Sequence, residues 1–163
     1  MFPVKCVFLV LLTYLALSVG CKSQEEISVP EYIADQKLMK LISGEDAVKN
    51  INELHGLNVA PAANAIAEYG EDPKDLLYIS KYDSKEKATE AFQLMMRKMT
   101  ESVEGPFSHI MALPDYDETV YMSLGMGAIH YIFQSNQYIL WLQTYQEIGR
   151  ELPENLIRLY PVN

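Results

Sequence analysis

Eight side chains in this sequence have the chemistry of a soft-metal site: Met95, Met96, Met99, Met111, Met122 and Met126, with His109 and His130. Thioether sulfur and imidazole nitrogen suit copper, and His109-x-Met111 sets both side chains on one face of an extended strand. Against this, methionine at helical spacing commonly fills a core, and the three histidines of the chain show no compact ligand spacing. No metal is therefore assigned, and no cofactor is implied. Acids cluster in two turn-like stretches, Glu68 with Glu71, Asp72 and Asp75, and Asp115 with Asp117 and Glu118. Neither follows the calcium-loop pattern, and acids in turns ordinarily face water.

For catalysis the residues offer little. There is no Gly-x-Ser-x-Gly elbow, no His-Glu-x-x-His helix and no phosphate loop, so no catalytic residue is named. A pair of carboxylates brought together only by folding remains open to an acidic chain. Gly125-Met126-Gly127 precedes an apolar strand pattern, whereas a dinucleotide loop must open a helix, so these glycines are read as a bulge or a close backbone crossing.

The most promising surface surrounds Ser135-Asn136. Taken as a two-residue hairpin loop, this pair sets Gln134 opposite Gln137, Ile132 opposite Ile139 and His130 opposite Trp141. Alternation then assigns Ile129, Tyr131, Phe133, Tyr138, Leu140 and Leu142 to one face, a core. His130, Ile132, Ile139 and Trp141 fall on the other. That second face is too apolar to stand in water. Either a partner, lipid or apolar ligand covers it, or a segment of the chain such as 30–42 does.

The elements that must position these residues follow from periodicity. Residues 30–42 carry Ile33, Leu38, Met39, Leu41 and Ile42 in an imperfect helical pattern. Ser43 heads a second helix with Ala47, Val48, Ile51 and Leu54 on its apolar side and His55-Gly56 as its stop. Residues 64–69 and 75–82 read as a hairpin about the turn 70–74. Asp83-Ser84-Lys85-Glu86 starts a long amphipathic helix reaching about residue 101, with Ala88, Phe92, Met95 and Met99 inward. Four β-rich stretches follow, at 107–113, 119–124, 127–134 and 138–145, and a closing helix carries Pro153, Leu156, Ile157 and Tyr160. The expected class is α+β: an antiparallel sheet of about five or six strands with helices packed on one face.

The first 21 residues have a different texture. A charged start at Lys5 leads through the apolar run 6–17 to Leu17-Ser18-Val19-Gly20-Cys21. This resembles the lipobox of bacterial lipoproteins, with Ser18 standing where a branched aliphatic residue is usual and Leu17 one place further back. The resemblance implies cleavage before Cys21, acylation of Cys21, and a membrane-anchored protein of the cell envelope facing the periplasm or the exterior. An ordinary secretory signal is the main alternative. An uncleaved anchor is disfavoured because a bilayer core takes about 20 apolar residues. The organisation is thus read as a signal peptide at 1–20, a lipidated cysteine and flexible tether at 21–29, and one domain at 30–163. Gly125-x-Gly127-x-x-His130-Tyr131, with Ser43-Gly44-Glu45-Asp46-Ala47 and Leu54-His55-Gly56, is also similar to small uncharacterised exported bacterial proteins, a likeness that implies no activity.

Removing residues 1–20 takes away one lysine and no acid, so the formal charge of −9 becomes −10. An acidic chain without a basic cluster repels phosphate backbones, so nucleic acid is not an expected partner. The same charge leaves membrane attachment to the lipid. Cys6 and Cys21 are the two cysteines; cleavage discards the first and acylation blocks the second, so the domain must stand on its apolar core alone. The function expected from these readings is a non-enzymatic binding or envelope-interaction module, partnered by the membrane through Cys21 and by an envelope protein or a second copy. The alternative is a small periplasmic enzyme or copper-handling protein.

Overall fold

Alternating apolar residues dominate the second half of the chain, and in the computed structural model they form half of one curled, eight-stranded antiparallel sheet. The structure describes residues 27–61, 63–102, 104–114, 120–145 and 151–160, with side chains from 155 onward in the last segment. The stretch read as a signal peptide, Cys21 and the acidic stretch at 115–118 lie outside these residues. In chain order the strands are β1 (Tyr32–Ile33), β2 (Gln36–Ser43), β3 (Ala63–Tyr69), β4 (Asp75–Lys81), β5 (Phe107–Leu113), β6 (Val120–Gly125), β7 (Ala128–Ser135) and β8 (Tyr138–Thr144). Helix α1 (Gly44–His55) joins β2 to β3, α2 (Lys85–Glu101) joins β4 to β5, and α3 (Glu151–Leu159) follows β8. Across the sheet the order is β1-β2-β3-β4-β8-β7-β6-β5.

This corrects the expected sheet of five or six strands. The two additional strands, β1 and β2, occupy the stretch read as a helix over 30–42. A register shift between Leu38 and Lys40 explains the misleading pattern. Leu38 pairs with Tyr69 and packs on one face of the sheet, whereas Ile42 pairs with Ile66 and packs on the other. A bulge switches the phase of alternation, so apolar residues four apart imitate a helical stripe.

The helices are also not confined to one face. One face presents Ala65, Ala67, Leu77, Ile79, Tyr131, Phe133, Leu140 and Leu142, covered by Leu156 and Tyr160 from the α3 region and by Ile27 and Ile33 from the chain's first described stretch. The opposite face is covered by α1 through Ala47 and Ile51 against Ile66, and by α2 through Phe92 and Met96 against Ile132 and Ile139. Burying each of these large apolar side chains contributes roughly 1.5–3 kcal/mol, and a sheet apolar on both faces recovers that only if both are covered.

Local signals account for the helix ends. Gly56 takes the left-handed conformation (φ 62°) that closes α1. The Ser84 side chain accepts from the Lys87 backbone N–H at the start of α2. Ser43 sits at the α1 cap position without such a side-chain bond.

Candidate functional site

The face chosen from sequence is an inner surface. Ile132, Ile139 and His130 are buried and Trp141 is half-buried. Their cover is α2, with Phe92 and Met96 at the contact and Met95 and Met99 beside them, and not the 30–42 segment, which is part of the sheet. The face alternation read from sequence is present, but the register is displaced. Asn136-Gln137 forms the turn, Ser135 pairs with Tyr138, Ile132 with Trp141 and His130 with Gln143. Asn136 adopts φ 51°, which asparagine tolerates well and a two-residue hairpin turn requires. Ser135 thereby stays in the strand, and its hydroxyl donates to the Tyr160 carbonyl.

His130 and Trp141 still meet, diagonally across β7 and β8. The Trp141 indole N–H donates to His130 Nδ1 at 2.9 Å, and His130 Nε2 lies 3.0 Å from the Gly125 carbonyl. An indole N–H only donates and a carbonyl only accepts, so the ring is neutral with its proton on Nε2. Phe107 packs edge-on against the His130 ring at 5.0 Å and tilted against Trp141 at 5.2 Å. Burial pushes the His130 pKa below its ordinary value, opposed by the bond to Gly125. Both nitrogens are committed to structure, which leaves none to take a proton from a substrate or to bind a metal in this arrangement.

The glycines of Gly125-Met126-Gly127 find their reason here. A Cβ on Gly125 would stand 2.5 Å from the Phe107 ring and 2.6 Å from the Pro106 carbonyl, while Gly127 has φ 78°. The pattern with His130 and Tyr131 is a turn pinned to a buried ring.

The methionines do not converge. Met95, Met96 and Met99 pack under α2 on one face, whereas Met122 packs against the core of the other. His109, at φ 52° within the irregular stretch between Ser108 and Met111, breaks the alternation on which His109-x-Met111 depended. Among the described residues no group of three or more histidine, cysteine, aspartate or glutamate side chains could hold a metal ion. Two of the acids near 68–75 are engaged: Glu68 pairs with Lys74 (2.7 Å) and Lys40 (3.3 Å), which hold its pKa below the ordinary range. Asp75, raised by burial, accepts hydrogen bonds from Thr144 and from the Tyr145 backbone N–H.

A different feature has the composition of a binding site. Between the start of α2 and strands β6 and β7 lies an open groove of about 260 Å³ lined by Lys85, Thr89, Phe92, Gln93, Tyr121, Gln134 and Asn136. Phe92 and Tyr121 form a tilted aromatic pair at 6.0 Å within it. The Gln134 amide donates to Thr89 Oγ1 (2.8 Å) and to the Asn136 carbonyl (2.9 Å), fixing one wall. Lys85 and Gln93 are exposed at the rim. No linear signal announces this set, because its members come from one helix and two strands that meet only after folding.

Comparison of the chain with protein-family models, with curated proteins and with solved structures finds no match. Among the described residues no helix is long and apolar enough to cross a membrane.

Proposed function

We propose that this protein is an exported lipoprotein, tethered to a cell-envelope membrane through Cys21, whose domain is a non-enzymatic binding module. The observation that carries the binding role is the groove beside α2. Its aromatic pair, its amide and hydroxyl groups and the single Lys85 cation suit a small, hydroxyl-rich ligand bearing at most one negative charge, such as a sugar acid. The half-buried Tyr121 ring takes the apolar face of such a molecule, the exposed Gln93 amide binds its hydroxyls, and the Lys85 ammonium meets its carboxylate. The lipobox-like segment ending at Cys21 supports the tether. The commitment of His130, Glu68 and Asp75 to internal hydrogen bonds and ion pairs supports binding over chemistry.

Titration of the isotope-labelled protein with glucuronic acid and, separately, glucose tests the groove. Millimolar glucuronic acid is expected to shift backbone resonances of residues 85–93, 121 and 134–136, glucose to shift them less, and Lys85→Gln to abolish the difference. No shifts in those residues with either sugar would overturn the assignment. For the tether, Cys21→Ser is expected to abolish acylation and membrane retention. Unchanged processing and retention would overturn it.

A further inference from the structure

The two edges of the sheet are built differently. At one edge, β1 pairs only with Gln36 and Lys37 of β2, and the rest of β2 carries Lys40 and the register shift between Leu38 and Lys40. Lysine and a bulge are what ordinarily keep an edge strand from pairing with another chain. At the other edge stands β5, Phe-Ser-His-Ile-Met-Ala-Leu, which among the described residues has no strand partner but β6. Neither β5 nor β6 holds an aspartate, glutamate, lysine or arginine, in a chain of formal charge −9.

A bulge limits how much of this edge can pair. The register breaks between Ser108 and Met111, with His109 at φ 52°. From Met111 to Leu113 it is regular, opposite Met122, Tyr121 and Val120. Met111 is 45% exposed, Ala112 is exposed and small, and Leu113 and Met122 pack at the margin of the main core. An antiparallel copy of this run, with Ala112 opposite Ala112, sets Met111 of each chain against Leu113 of the other, on the face that carries Met122. The core then continues across the edge, and the exposed methionine is covered.

These features select a second copy as the occupant. Like charge is the obstacle between two copies of an acidic chain, and this edge brings none together. A charged peptide finds no counter-charge on the strand, whereas an identical strand matches it by register. Two-fold pairing consumes both edges, so the assembly closes at two.

We infer that this protein forms a two-fold homodimer through β5, with Ala112 at the axis and Met111 against Leu113 of the second copy. Tyr121, which pairs with Ala112, also lines the groove. The axis is normal to the joined sheet, so both grooves open on the same side of it. The two Tyr121 backbones lie three strand spacings apart, roughly 14 Å.

Disulfide trapping on the full chain in mild detergent tests this. Glutathione disulfide is the oxidant: the thiolate introduced by Ala112→Cys displaces one glutathione, and the thiolate of the second copy displaces the other, leaving a bridge between chains and two reduced glutathiones. Directly opposite residues have Cα atoms about 4.5–5.5 Å apart, within the span of a disulfide. Ser108→Cys, exposed on the same strand, is the control, because in this register its two copies are offset along the strands by roughly 25 Å. The unsubstituted chain reports any bridge made through Cys6 or Cys21. Ala112→Cys is expected to give covalent dimer roughly tenfold faster than Ser108→Cys, and adding Met111→Lys, which sets an ammonium against Leu113, to slow it about fivefold. Equal rates at positions 112 and 108, no dimer beyond that of the unsubstituted chain, or bridging indifferent to Met111→Lys would overturn the pairing.

Discussion

The Trp141 indole N–H is bonded to Nδ1 of His130, and His130 in turn holds the Gly125 carbonyl. This short relay joins β8, β7 and the β6–β7 turn beneath Phe107. Protonating His130 removes the acceptor that Trp141 uses and places a charge in an apolar site, so the neutral ring is part of the folded structure.

A pH dependence follows. His130 has a folded pKa below that of the unfolded chain, so as pH falls the unfolded state takes up a proton first and stability declines. The loss is expected to begin near the ordinary histidine pKa of about 6.5 and to continue downward until the folded ring itself titrates. Urea unfolding at a series of pH values, followed by the fluorescence of the sole tryptophan, measures it. His130→Phe, which cannot titrate, should flatten this part of the profile; an unchanged slope would assign it to another group.

Replacing His130 by Ala leaves the Trp141 N–H and the Gly125 carbonyl without partners and opens a cavity. Its expected cost is roughly 2–4 kcal/mol in chemical denaturation. A red-shifted Trp141 emission in the folded variant is expected alongside.

Gly125 and Gly127 should separate two reasons for glycine. Gly125→Ala drives a methyl into Phe107 and the Pro106 carbonyl, and is expected to cost about 1–3 kcal/mol and to perturb Trp141 emission through Phe107. Gly127→Ala meets no atom within 4 Å but must hold φ 78°, for a cost of about 1 kcal/mol and unchanged emission. Paired thermal melts and emission spectra decide between these effects.

Tyr160→Phe and Tyr69→Phe remove the hydroxyls that donate to the Ser28 and Pro30 carbonyls. Each should cost about 1 kcal/mol and speed amide hydrogen exchange in residues 27–33 while leaving β7 and β8 protected. Burial raises the pKa of both hydroxyls above that of an ordinary tyrosine. In a spectrophotometric alkaline titration, both phenols should therefore ionise above the range of a free tyrosine phenol.

Much of the local structure was legible from residue order. Ser84 with the apolar spacing of Ala88 and Phe92 marks α2, Gly56 marks the end of α1, and the alternation from Ile129 to Leu142 assigns both faces of the β7–β8 hairpin. Three readings failed for identifiable reasons. The bulge in β2 disguised a strand as a helical stripe. The turn residue able to take positive φ, Asn136, came first in the loop rather than second. Helices expected on one face were divided between two, because the sheet is apolar on both.

The sequence alone determined the alternation of faces, the helix ends, the acidic charge and the presence of a single cysteine after position 20, since these depend on local periodicity, capping chemistry and composition. Only the tertiary structure decided what covers each face, that His130 and Trp141 are bonded to each other, that the groove forms, and that residues 27–33 belong to the domain. Those outcomes depend on contacts between segments as distant as Ser28 and Tyr160, which no local pattern encodes.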